Sequence, residues 1–252
     1  MHASLRDSMI KVPAITLGFW VIKILATTLG ETGGDAVTMS MGLGYLVGSA
    51  IFLVMFIAAS GAQIASKRFH PLLYWLAIIA STTVGTTLAD FATRSIGIGY
   101  AGGSALLLGL LAASLLLWYR TLGSVAVTTV SSAAAEAFYW VTIMFSQTLG
   151  TALGDWTADT AGLGYLGGAI VFSALLLVVA LAWWRTHISR TVLFWAAFVL
   201  TRPVGAVVGD LLDKPLEQGG LALSRYAASA TLLVLMGIAI LVLPQRAAQE
   251  PH

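Results

Sequence analysis

The sequence predicts an all-α membrane protein. Eight transmembrane helices form four parallel two-helix repeats, with odd helices central, even helices peripheral and both termini cytoplasmic. Three observations carry this prediction. Of the 252 residues, 58% are hydrophobic and 10% charged, with a mean hydropathy of +0.91. A soluble domain carries about 25% charged residues, so this chain has too little polar surface to face water all round, and its solvent must largely be lipid. The chain also repeats one pattern four times, and its charges sort to opposite ends of the apolar runs.

The repeat is a ruler. Phe19-Trp20, Tyr74-Trp75, Tyr139-Trp140 and Phe194-Trp195 each lead an apolar stretch. Ten residues after each Trp stands a glycine: Gly30, Gly85, Gly150 and Gly205. Five residues further on stands an aspartate: Asp35, Asp90, Asp155 and Asp210. Each repeat supplies two runs of the roughly 20 residues that a spanning helix needs. The more polar runs cover about 13–34, 72–90, 131–154 and 191–210, and the purely apolar ones about 43–65, 98–119, 162–184 and 221–243. Lipid leaves no partner for free backbone groups, so such runs are helices. The chain reads as one membrane domain over 1–252, with repeats at about 12–68, 69–120, 131–187 and 188–246. No small-residue cleavage site follows the first run, which predicts a retained span. The successive Trp offsets of 55, 65 and 55 residues suggest a duplicated pair, a twofold laid over the fourfold plan.

Two helices per repeat make every hairpin enter the membrane in the same sense, unlike the inverted repeats of many transporters. One set of helix ends carries Arg6, Lys11, Lys67, Arg68, Arg120, Arg185, Arg190 and Arg246 against Asp7 and Glu250. The other carries Asp35, Asp90, Asp155, Asp159, Asp210, Asp213 and Glu217 against Arg94, Lys214 and Arg225. The positive-inside rule puts the basic set in the cytoplasm. Trp118, Trp183 and Trp184 at that end, and Tyr45, Tyr100 and Tyr165 at the other, fit interfacial belts.

Nearly all the polarity inside the runs lies in the odd helices. A charge facing lipid at mid-depth costs several kcal/mol, so these residues point inward. Glycines and small residues four apart (Gly30 and Gly34, Gly150 and Gly154, Gly205 and Gly209) predict close helix packing, as does a second set opening the even helices, such as Gly44 and Gly48. Seven residues after each Trp come Thr27, Thr82, Gln147 and Arg202. Lys23 and Glu31 lie one turn to either side of Thr27 on the same helix face. With Glu136, these residues form a candidate substrate path: Lys23, Thr27, Glu31, Thr82, Glu136, Gln147 and Arg202. The same residues would also serve as a buried network that fixes helix register. The outer aspartates have two readings, as helix-ending turn residues or as a ring that attracts cations.

Absences narrow the chemistry. There is no cysteine, and no metalloprotease, nucleophile-elbow or phosphate-loop motif. His2, His70, His187 and His252 all fall at helix ends or termini. The expectation is a protein that is not an enzyme and has no cofactor; a metal remains open, and any cation site would be built from oxygen ligands that suit hard cations. The expected partners are the lipid bilayer and a small ion or solute, with a homo-oligomer compatible; a net charge of +2 without a basic block gives no footprint for nucleic acid.

The stretch Lys11-x-x-x-Ile15-Thr16-x-x-Phe19-Trp20-x-x-Lys23-x-Leu25-x-Thr27-Thr28-x-Gly30-Glu31-x-x-x-Asp35 resembles the start of a family of bacterial integral membrane proteins. That family is built from four tandem repeats of unknown function, each with two membrane segments and a characteristic Trp. The resemblance covers almost the whole chain and implies a bacterial inner membrane. The fourth repeat departs most, with Pro203 after Arg202 and Gly219-Gly220 in place of the Gly-Tyr pattern. The function expected from the residues is a transporter or channel for a small solute, a cation being preferred. The alternative is a non-transporting membrane scaffold or regulatory partner.

Overall fold

The polar runs gather at the centre because they carry the groups that lipid rejects. The computed structural model describes residues 10–248. The early charges Arg6, Asp7 and His2, and Glu250 and His252 at the other end, lie outside the described residues. Eight long helices follow in order: α1 (Leu17–Asp35), α2 (Gly44–Ala65), α3 (Pro71–Asp90), α4 (Gly99–Leu122), α5 (Ala133–Asp155), α6 (Gly164–Arg185), α7 (Arg190–Asp213) and α8 (Arg225–Val242). Starts are signalled locally. Thr16 accepts from Phe19 N and Ser132 from Ala135 N, and Pro71 opens α3.

The odd helices close a ring in which α1 packs on α3, α3 on α5, α5 on α7 and α7 on α1. The even helices lie outside it, and each packs mainly on the odd helix of the following repeat: α2 on α3, α4 on α5, α6 on α7 and α8 back on α1. Covering the next helix rather than its own makes every repeat depend on its neighbour. The chain ends complete the circle, with Ala14 N donating to Arg246 O at 2.8 Å and Ala248 N to Val12 O at 2.8 Å. Six of the eight helices are long and apolar enough to cross a membrane. The other two, α1 and α5, hold Lys23, Glu31 and Glu136 in the protein interior. This is a multi-pass helical membrane protein.

Several sequence expectations are corrected. Asp35, Asp90 and Asp155 do not end their helices, because a five-residue π turn carries each chain onward over Ala36–Ser40, Phe91–Ser95 and Trp156–Thr160. In the fourth repeat α7 itself runs three residues past Asp210. Gly44, Gly99 and Gly164 are turn residues, not packing residues: each has open space around it and φ between 64° and 75°, which an L side chain resists. Their partners Gly48 and Gly103 do pack, against Thr38 and Thr93, and Gly168 packs against Val207. Gly220 sits instead on the backbone of Lys214. Trp118 is not at the lipid interface: it is 0% exposed, wedged against Phe138, Tyr139 and Trp195. Tyr165 is likewise buried, whereas Trp184 is 75% exposed.

Candidate functional site

The ruler becomes a stack of layers across the ring. At its basic end the aromatic pairs interlock around the circle. Phe19 meets Trp75 at 5.5 Å between ring centroids, Tyr74 meets Trp140 at 5.6 Å, Tyr139 meets Trp195 at 6.2 Å and Phe194 meets Trp20 at 5.9 Å. The hydroxyls of Tyr74 and Tyr139 share a hydrogen bond of 2.6 Å within this layer. Linkers seal it: Trp75 Nε1 donates to Gln245 and Trp195 Nε1 to Val125 O. One turn further in lie Lys23, Ile78, Ile143 and Phe198, all fully buried. Lys23 Nζ donates to Thr201 Oγ1 at 2.9 Å and to Phe198 O at 3.4 Å, and lies 3.7 Å from the Phe198 ring centroid.

The next layer explains the repeated glycine. A Cβ on Gly30 would sit 2.3 Å from the Thr82 side chain, and one on Gly85 2.9 Å from the Gln147 backbone. On Gly150 it would sit 2.3 Å from Arg202 Cγ, and on Gly205 2.2 Å from Thr27 Oγ1. Each glycine thus seats the residue seven after the Trp of the next repeat, and the fourth seats the first. Removing four Cβ atoms lets the backbones approach until Thr27, Thr82, Gln147 and Arg202 fill one plane.

One turn toward the acidic end come Glu31, Thr86, Thr151 and Ala206, each eleven residues after its Trp. Arg202 extends up into this layer. Its Nη2 donates to Glu31 Oε2 at 2.9 Å, to Thr86 Oγ1 at 2.6 Å and to Thr151 Oγ1. From α7 the side chain therefore reaches α1, α3 and α5, which places its head on the ring axis. Ala206 is the small member of that layer, on the helix that supplies the Arg. Charge-assisted bonds of this kind contribute about twice a neutral one.

The outermost layer holds the four aspartates, all buried. Lys214 bridges Asp35 and Asp210, the latter at 3.0 Å. Arg94 bridges Asp90 at 2.8 Å and Asp155 at 3.6 Å. Arg225 holds Asp213 at 3.1 Å. Burial alone would lower the ammonium of Lys214, but Asp210, then Asp35 and Asp213, outweigh it and hold the group well above the ordinary lysine value. The bridging cations stand four residues after Asp90 and Asp210, while Met39 and Asp159 take that place in the first and third repeats. The charges therefore follow the twofold duplication, and the packing follows the fourfold repeat.

The structure thus gathers Lys23, Thr27, Glu31, Thr82, Gln147 and Arg202 in three successive layers, with Asp35, Asp90, Asp155 and Asp210 above them. Glu136 does not join them. It lies in the first turn of α5 and pairs at 2.6 Å with Lys11, whose ammonium also meets the carbonyls of Gln63, Ile64 and Ser66 near the end of α2. It is an anchor of the basic end, and a cation there suits the negative end of the helix dipole. Thr86 and Thr151 are the members absent from the predicted path. The ruler extended from seven to eleven residues after each Trp reaches both.

Four stretches of the chain, 18–69, 73–124, 138–189 and 193–246, match the model of a family described as a repeat of unknown function (DUF347). Together they cover most of the chain, which belongs to that family. No curated protein and no solved structure matches it.

Proposed function

We propose that this DUF347 protein is a transporter or channel for a small solute, a cation being preferred, that works through the polar half of the odd-helix ring. The observation that carries the reading is the surplus of carboxylate at the acidic end. Asp35, Asp90, Asp155, Asp210 and Asp213 meet only Arg94, Lys214 and Arg225 there, and Glu31 below them is already held by Arg202. Ligand oxygens of Glu31, Asp35 and Asp210 lie within 4.8 Å of one another, and Asp35 Oδ1 has no hydrogen-bond partner among the described residues. A surplus of negative charge in a low-dielectric surround concentrates cations. Lys214 then acts as a tethered cation that a mobile one displaces, and the aromatic layer is the closed gate. By the positive-inside rule the acidic mouth faces outward in a bacterial inner membrane. The chemistry is binding and passage, with no catalysed reaction.

Flux through purified protein in liposomes tests this. Monovalent and divalent cations are offered in turn, with Asp35→Asn and Asp210→Asn as variants. Cation flux that falls in both variants is the expected result. If no cation crosses, the scaffold reading replaces it, and a stoichiometric membrane partner should then copurify.

A further inference from the structure

We propose that the layer of Thr82, Gln147 and Arg202 is a binding site for a small monovalent anion, of the size of chloride or formate. All three side chains are fully buried. Among the described residues Gln147 has no hydrogen-bond partner for either Oε1 or Nε2, Thr82 none for Oγ1, and Arg202 none for Nε and Nη1. Buried amides and guanidinium nitrogens are almost always satisfied, and here three neighbouring helices carry unsatisfied groups within about one helical turn of one another. The Arg202 head lies against Thr86 and Thr151, one turn above Thr82 and Gln147 on the same helices. Most of the unsatisfied groups are donors: the Gln147 amide, the Thr82 hydroxyl and two guanidinium nitrogens.

Charge selects the guest. In the inner half of the ring Lys23 and Arg202 are the cations, and among the described residues Glu31 is the only carboxylate they meet, at Arg202. Lys23 has hydroxyl, carbonyl and ring contacts but no carboxylate within salt-bridge distance among the described residues. A buried charge needs compensation, and a bound monovalent anion supplies it. A guest in this layer would lie between Lys23, Ile78, Ile143 and Phe198 below and the Arg202–Glu31 contact above, each about one helical turn away, which limits it to a few atoms. The site does not depend on cation passage.

Thermal unfolding of the purified protein in detergent tests it, with chloride, formate or gluconate as the sodium salt at matched ionic strength. Chloride and formate should raise the Tm saturably, and gluconate, too large to enter, should not. Gln147→Leu and Thr82→Val remove unsatisfied polar atoms at little change in shape, so both should fold. Each should weaken the chloride midpoint by about tenfold, the loss of one hydrogen bond. Lys23→Met should weaken it too. An equal response to gluconate, no response to any anion, or an unchanged midpoint in Gln147→Leu would each overturn the site. The cation-flux result bears on none of these readings.

Discussion

Replacing Gly150 by Ala tests the layered ring directly. The added Cβ would lie 2.4 Å from Arg202 Cβ and 2.3 Å from Arg202 Cγ, where carbon atoms in contact need at least about 3.4 Å. Arg202 Cβ is fixed to its backbone, so rotating the side chain relieves only the second clash. Helices α5 and α7 must therefore part by about 1 Å at this level. Overpacking of this kind costs about 1–3 kcal/mol. Ala restores about 0.5–1 kcal/mol of helix preference over Gly. The separation also strains the bonds from Arg202 to Glu31 and Thr151, each a charged hydrogen bond of about 1.5–3 kcal/mol. The expected net loss is about 2–4 kcal/mol, read by reversible unfolding in mixed micelles with tryptophan fluorescence. Gly109→Ala is the control, since nothing lies within 4 Å of a Cβ there. It should be neutral or stabilise by up to about 1 kcal/mol. If Gly150→Ala unfolds with wild-type stability, the third repeat does not seat Arg202 and the ring packing described here is wrong.

Two further outcomes follow from the charges. Arg202→Met alone leaves Glu31 buried without its cation and should cost about 3–5 kcal/mol; adding Glu31→Gln should recover most of that, and a double variant no more stable than the single one refutes the pairing. Glu136→Gln should destabilise the protein by weakening the tie between Lys11 and α5, while leaving cation flux per folded molecule unchanged. A flux loss matching that of Asp35→Asn would return Glu136 to the pathway.

Helix number, the central place of the odd helices and the layer of Thr27, Thr82, Gln147 and Arg202 were all legible, because they rest on period and spacing. Glu136 falls outside the column because a polar helix carries buried charge at more than one depth. Its depth was visible from its position four residues before Trp140, at the level of the basic end rather than the ring centre. The continuation of the helices past Asp35, Asp90 and Asp155 was not legible, since a π turn is a local shift in hydrogen bonding with no composition of its own. The pairing of each even helix with the following repeat was hidden for a related reason. Leu-rich helices such as α4 are apolar all round, so the sequence marks no single face for packing.

The three kinds of symmetry in this ring separate structure from chemistry. Packing is fourfold: the same glycine seats the same neighbouring position at every junction, the first repeat included. Ion pairing is twofold, with Arg94 and Lys214 each serving two aspartates from adjacent repeats. Within the central layers the charged and amide side chains, Lys23, Glu31, Gln147 and Arg202, each occur once. A group that lies off the axis meets one or two repeats, and duplication copies it without conflict. A group on the axis excludes its own copies, because four Arg side chains could not share the space that Arg202 occupies among Glu31, Thr86 and Thr151. Duplication must therefore be followed by divergence at the axis. Arg202, the residue that diverged there, ties α7 to α1, α3 and α5 at once.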